Sequence, residues 1–179
     1  MRKVTLYIEC SSTYIGKKSR LSGYVLEYIT HGLPVTGQSF REGSGTYNQE
    51  YLMTIADALG HIREPVELLI CGSNRFVLNM IRDRLQIWVE HDFTSNGHPV
   101  MNQEEWQAVW EKIKEHKVSI QIGKHSYSSW LLTEMEGRNE KPKRIPETGN
   151  KDSEDTTGSG HNTNHADGSD LQEAERLSG

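Results

Sequence analysis

Apolar positions recur along this chain with two periods, and the switch between them lays out the elements. Val4 to Ile8 is a short β-branched and aromatic run and predicts a strand. Gly23 to Thr30 predicts a second strand, His31-Gly32-Leu33-Pro34 a tight turn, and Val35 to Glu42 a third strand. Strands so close together, joined by a short turn, form an antiparallel meander. Ser11 to Ser22 reads as a polar loop with a basic Lys17-Lys18-Ser19-Arg20 cluster. After Gly43-Ser44-Gly45 the period changes. Tyr51, Ile55, Ala58, Leu59 and Ile62 fall on one helical face between Thr46 and Pro65.

Val66 to Cys71 is mostly apolar, as expected of a parallel strand buried on both faces. Asn74 to Val89 then predicts one helix, and Asp92 to Met101 a loop holding Asn96-Gly97. Asn102 with Glu105 has the spacing of a capping box for the helix carrying Trp106, Val109, Trp110 and Ile113. A fifth strand follows at Val118 to Ile122, and a last helix at Ser126 to Met135, ending near Gly137. The order β-β-β-α-β-α-α-β-α predicts an α/β three-layer domain, with helices on both faces of a mixed five-stranded sheet.

Composition divides the chain near residue 137. Residues 1–137 are expected to fold as one domain. Residues 138–179 are polar and nearly without large apolar side chains, so they are expected to be a disordered tail, with a faint helical stretch at Asp170 to Leu177. The tail carries six Lys and Arg against nine Asp and Glu. The remainder keeps a small negative net charge, unfavourable for gripping phosphates, since nucleic-acid affinity comes largely from Lys and Arg. His161 and His165 in the tail are explained by its low complexity rather than by metal binding. Cys10 and Cys71 form neither a disulfide framework nor a zinc motif, and read as two small core residues near each other rather than a redox pair. Alternation puts both on the sheet face opposite Glu9 and position 72. No apolar run reaches membrane-spanning length and no signal peptide is visible, so a cytoplasmic protein is the expectation.

The candidate chemistry lies at element ends: Glu9 closes the first strand, Glu50 rides the first turns of the helix after Thr46, and Gly72-Ser73-Asn74 closes the fourth strand. Taken singly, Glu9 and Glu50 are ordinary surface residues. Their order and surroundings over about residues 1–135, however, resemble a type 1 ribonuclease H, a ribonuclease H-like fold. The family's Asp-Gly-Ser and following Gly-Tyr-Gly correspond to Glu9-Cys10-Ser11 and Gly23-Tyr24-Val25. Its Thr-Asn-Asn-x-x-Glu-Leu corresponds to Thr46-Tyr47-Asn48-Gln49-Glu50-Tyr51, and its Thr-Asp-Ser-Gln to Cys71-Gly72-Ser73-Asn74. Its Lys-Pro-Val-x-Asn-x-x-x-Trp matches His98-Pro99-Val100-Met101-Asn102 and Trp106, and its Gly-His loop matches Lys124-His125.

The resemblance implies hydrolysis of the RNA strand of an RNA–DNA hybrid by two Mg²⁺ or Mn²⁺ ions held by four carboxylates. It implies Glu9 and Glu50 as metal ligands and site-equivalent catalytic residues, with His125 as the loop histidine that serves product release or proton transfer. Two ligand positions are lost, at Gly72 and at Ser129, the latter chosen because Leu131 then takes the family's apolar position. Asp83 and Glu134 are the remaining carboxylates weighed as substitutes. Nucleic-acid contacts are expected at Lys17, Lys18, Arg20, Asn48, Ser73 and Asn74, with Arg75, Arg82 and Arg84 as further cations. The protrusion that is basic in bacterial enzymes carries Glu90 and Asp92 here. Trp88, Trp106 and Trp110 read as core packing rather than a base-stacking platform. The expectation is a catalytically impaired domain that binds nucleic acid or a protein. The alternative is a metal-dependent hybrid endoribonuclease with a rearranged site.

Overall fold

A computed structural model describes residues 1–139; the expected tail lies outside the described residues beyond that point. Five strands form one mixed sheet in the order β3-β2-β1-β4-β7. These are β1 Lys3–Cys10, β2 Arg20–Thr30, β3 Leu33–Gly43, β4 Glu67–Gly72 and β7 Lys117–Ile122. β1 pairs antiparallel with β2 and parallel with β4, and β4 pairs parallel with β7. The helices are α1 Tyr47–Leu59, α2 Arg75–Asp83, α3 Leu85–Glu90, α4 Gln103–Ile113 and α5 Ser128–Asn139. None is long and apolar enough to cross a membrane among the described residues.

The meander forms because His31 and Gly32 both adopt positive φ, the pairing that a two-residue hairpin turn requires. β3 lies at the sheet edge, which tolerates Pro34 within it. β2 begins at Arg20, three residues earlier than expected, so part of the supposed loop belongs to the sheet. Thr46 caps α1 by accepting a hydrogen bond from the Gln49 N–H, and Tyr51, Leu52, Ile55, Ala58 and Leu59 bury its inner face. These side chains meet Val4, Leu6 and Ile8 of β1 and Leu68 and Ile70 of β4 in the main core. Among the described residues the other face is covered by α5, through Val25, Leu131 and Met135. Leu69 is therefore only half-buried, so β4 is not buried on both faces along its whole length.

Three local expectations are corrected. The helix predicted over 74–89 breaks at Arg84, whose φ of −127° leaves helical geometry. Asn102 takes a left-handed conformation, φ 60°, and its side chain makes no cap hydrogen bond, so there is no capping box. Glu105 instead accepts from Gln49 Nε2 at 2.7 Å, tying α4 to α1. The loop after α3 contains a small hairpin, β5 Thr94–Ser95 with β6 His98–Pro99, turned by Asn96 and Gly97 at positive φ.

The two cysteines are buried, but not as neighbours on one face. Register pairs Tyr7 with Cys71 and Ile8 with Gly72, which sets Cys71 in phase with Tyr7 on the α5 face. Cys10 is in phase with Ile8 and belongs to the α1 core. By the same alternation Glu9 and position 72 lie on opposite faces, not on one. Burial pushes the Cys10 thiol up to about 12 and the Cys71 thiol up to about 11, which keeps both as unreactive thiols.

Candidate functional site

The site forms where β1 and β4 end and α1, α2 and α5 begin. β1 delivers Glu9 to a position where only 6% of the residue is exposed. Its Oε1 accepts three hydrogen bonds: from Ser128 Oγ at 2.7 Å, Ser73 Oγ at 3.0 Å and His125 Nε2 at 3.2 Å. Burial alone would raise the Glu9 pKa, but the hydrogen bonds from His125, Ser128 and Ser73 outweigh it and hold the carboxyl below its ordinary value. Ring contacts fix the His125 tautomer. Nδ1 accepts from the Tyr127 N–H at 3.2 Å, so Nε2 carries the proton shared between Glu9 and the Ile8 carbonyl at 3.1 Å. Neither ring nitrogen bonds a serine hydroxyl, so this is not a Ser-His-carboxylate nucleophile.

Glu50 is 4% exposed and faces the end of β3. Oε1 accepts from the Gly45 N–H at 2.9 Å, and Oε2 lies 3.5 Å from Arg41 Nη1. A β-carbon at Gly43 or Gly45 would collide with this carboxylate, so the glycines make its bed. Glu9 and Glu50 therefore have separate partner sets. Glu50 Oε2 and Arg41 Nη1 are buried without hydrogen bonds of their own, an ion pair with no further polar support.

The third ligand position is filled as well as empty of carboxylate. A β-carbon on Gly72 would fall on the hydroxyl of Tyr51, which stands on α1 next to Glu50. Tyr51 is fully buried against Tyr47, and its hydroxyl, beside the Asn74 backbone, makes no hydrogen bond of full geometry. The ring has no route aside without leaving the core. Sequence reasoning missed this residue, although its signal was present: Tyr51 occupies the family's leucine position while Gly72 occupies the family's aspartate position.

At the start of α5, Ser128 and not Ser129 faces Glu9; Ser129 is exposed. The short loop from His125 shifts the helix start, and the His125 N–H donating to Ser128 Oγ locks that shift. Neither candidate substitute reaches the site. Asp83 is exposed and paired with Arg82, and Glu134 is exposed on α5. Among the described residues no group of three or more His, Cys, Asp or Glu is arranged to hold a metal ion. Three proton donors already occupy one Glu9 oxygen, Arg41 neutralises Glu50, and tyrosine fills the space at 72. This donor set does not fit a two-ion carboxylate centre.

The expected nucleic-acid residues separate into two groups. Lys17 and Lys18 are exposed. Arg20 is only 3% exposed, and its guanidinium donates to the carbonyls of Ser12, Gly16 and Gly45, so it braces the loop rather than meeting a ligand. Asn74 is buried, caps α2 through the Val77 N–H and donates to Asn48 Oδ1. Asn48 is half-buried and Ser73 exposed. Glu90 and Asp92 are exposed. Trp106 is buried edge-on against Trp88, at 5.1 Å between centroids, as core packing requires.

The family model described as RNase H matches residues 1–126. A ribonuclease H of Clostridium botulinum strain Hall is 28% identical over 131 residues, covering 70% of this chain and 86% of the relative. Ribonuclease HI of Haemophilus influenzae is 29% identical over 100 residues, 55% of this chain and 63% of the relative. Among solved structures, LC9-RNase H1, described as a type 1 RNase H with the type 2 active-site motif, superposes with a TM-score of 0.62 at 15% identity, covering 77% of this chain and 70% of that one. An N-terminal RNase H domain from Mycobacterium tuberculosis gives a TM-score of 0.55 at 11% identity, covering 74% and 95%. At such identities these structures share the fold alone.

Proposed function

Because the chain belongs to the RNase H family, we propose that it binds nucleic acid through that family's scaffold but does not cut it. The observation carrying this reading is the Tyr51 hydroxyl in the space of the third carboxylate. Phosphodiester hydrolysis by two ions needs the carboxylates to converge on the attacking and leaving oxygens, and small misplacements cost orders of magnitude in rate. Here Glu9 and Glu50 are each satisfied by protein donors, and Arg41 balances the charge of Glu50. In place of a metal-held phosphate, the outer rim offers exposed Lys17 and Lys18, without ion-pair partners among the described residues, and the side-chain amide of Asn48. The curated relatives are named ribonucleases, and the same scaffold gives this chain a nucleic-acid partner as its first candidate.

The test is incubation of the full chain with a labelled RNA–DNA hybrid and Mg²⁺ or Mn²⁺, beside Glu50→Gln. No cleavage, with salt-sensitive binding, is the expected result. Metal-dependent cleavage that disappears in Glu50→Gln would overturn the reading and make the chain a hybrid endoribonuclease with a rearranged site. Absence of both cleavage and binding would leave a protein partner. A constructive arm follows from the geometry. Gly72→Asp alone should lose about 2 kcal/mol or more of stability by overpacking against Tyr51. Combined with Tyr51→Leu, which vacates the space the new side chain needs, it should recover most of that loss in urea unfolding.

A further inference from the structure

Exposed aromatic side chains and unpaired cations sit together at two places on the rim of the Glu9 site. The first is the loop between β1 and β2. Tyr14 there is 60% exposed, and its ring lies against Gly16, where a β-carbon would approach to 2.8 Å. Glycine at 16 is what lets the ring rest on the loop backbone. The loop itself is rigidly held. The buried Arg20 guanidinium reaches the Ser12 and Gly16 carbonyls at 2.7 Å each, and the Lys18 N–H donates to Gly45. Lys17 and Lys18 follow the ring, exposed and without an ion-pair partner among the described residues. The second place is the first turn of α2. Phe76 is 52% exposed there, beside exposed Arg75, three residues after the Ser73 whose hydroxyl bonds Glu9.

We infer that this rim is a binding site for single-stranded nucleic acid, with unpaired bases stacking on Tyr14 and Phe76 and phosphates held by Lys17, Lys18 and Arg75. The inference rests on the nucleic-acid reading above and narrows its substrate class. A duplex keeps its base faces inside its own stack, so open aromatic rings gain little from it. A single strand offers those faces, and stacking is tolerant of sequence because every base has one. Duplex grip depends instead on many cations, and the exposed protrusion presents Glu90 and Asp92 where a second set would be needed. A pre-braced tip also avoids the ordering cost that a mobile loop would bring to binding.

The test uses the full chain and fluorescence anisotropy with short oligo(dT), oligo(U) and an RNA–DNA hybrid of equal length, at several salt concentrations. Both single strands should bind more tightly than the hybrid. Tyr14→Ala and Phe76→Ala should each weaken single-strand binding about tenfold, while Tyr14→Trp keeps it. Replacing Lys17 and Lys18 together by Ala should flatten the log–log salt slope by about 1.4. Since Tyr14 is exposed, the circular dichroism and melting of Tyr14→Ala should match the parent and so separate lost contact from lost fold. Hybrid binding tighter than single-strand binding, or an unchanged affinity in Tyr14→Ala, would overturn this inference and leave the broader reading standing. Failure to bind any of the three nucleic acids would overturn both.

Discussion

Glu9 and His116 both contribute to the response to acid. His116 Nδ1 accepts from the Val66 N–H at 3.3 Å, and burial lowers its pKa from the ordinary 6.5. The folded state therefore holds fewer protons on His116 than the unfolded chain does, and this contribution is present above pH 6.5 and lost as the pH falls through the lowered value. Glu9, also lowered, behaves with the same sign further down: its contribution is present above its ordinary 4.5 and lost below that as the carboxyl protonates. Urea midpoints should thus decline in two steps between neutrality and strong acid, with the lower step reduced in Glu9→Gln. Tyr51→Phe removes a buried hydroxyl that has no full hydrogen bond, so stability should change by no more than about 1 kcal/mol in thermal or urea unfolding. Residue order brought out Glu9, Glu50 and the glycine at 72 as positions to inspect. Tyr51 and Arg41 were not, because a hydroxyl reaching from a helix to a strand end, and a guanidinium reaching from an edge strand to a helix, leave no periodic trace. Ser129, expected at the site, is exposed, and its neighbour Ser128 is the serine that donates to Glu9, a one-residue difference at a helix start that the burial of Leu131 does not reveal.

Elements with strong local signals came through best. α1 has its Thr46 cap, its apolar stripe and Pro65 beyond it, and it formed as expected. The stretch after β4 did not form one helix, since apolar spacing continues across Arg84 although the backbone turns there. The capping box failed because Asn102 adopted a left-handed backbone and Glu105 found Gln49 on another helix. Tertiary partners overrode local propensity in both cases. Among the loops, the β1–β2 segment depends on one side chain. Arg20→Ala deletes the buried guanidinium and leaves the carbonyls of Ser12, Gly16 and Gly45 without their donor, so it should cost about 2–4 kcal/mol in urea unfolding, with proteolysis appearing first between Ser11 and Ser19. Lys17→Ala, by contrast, should leave stability within about 0.5 kcal/mol, because it is a solvated side chain.

Over the whole molecule, the order of elements along the chain and the mixed sheet followed from the alternation of periods, while the order of strands within the sheet and the assignment of faces required the pairing register. One pairing, Ile8 with Gly72, separates Cys10 from Cys71 and turns Glu9 away from position 72. The described core closes by Asn139, the end of α5, with Met135 its last buried apolar side chain. A chain ending at Asn139 should keep the melting midpoint of the full chain to within about 2 °C in scanning calorimetry. Tyr51 has a consequence that reaches beyond folding, to the ways the sequence can change. An aspartate placed at 72 while Tyr51 remains meets a filled space, and a leucine placed at 51 while Gly72 remains leaves a hole. Each single change is disfavoured, so the two positions are coupled: a sequence can move between the Gly72–Tyr51 pair and an aspartate–leucine pair readily only by changing both together.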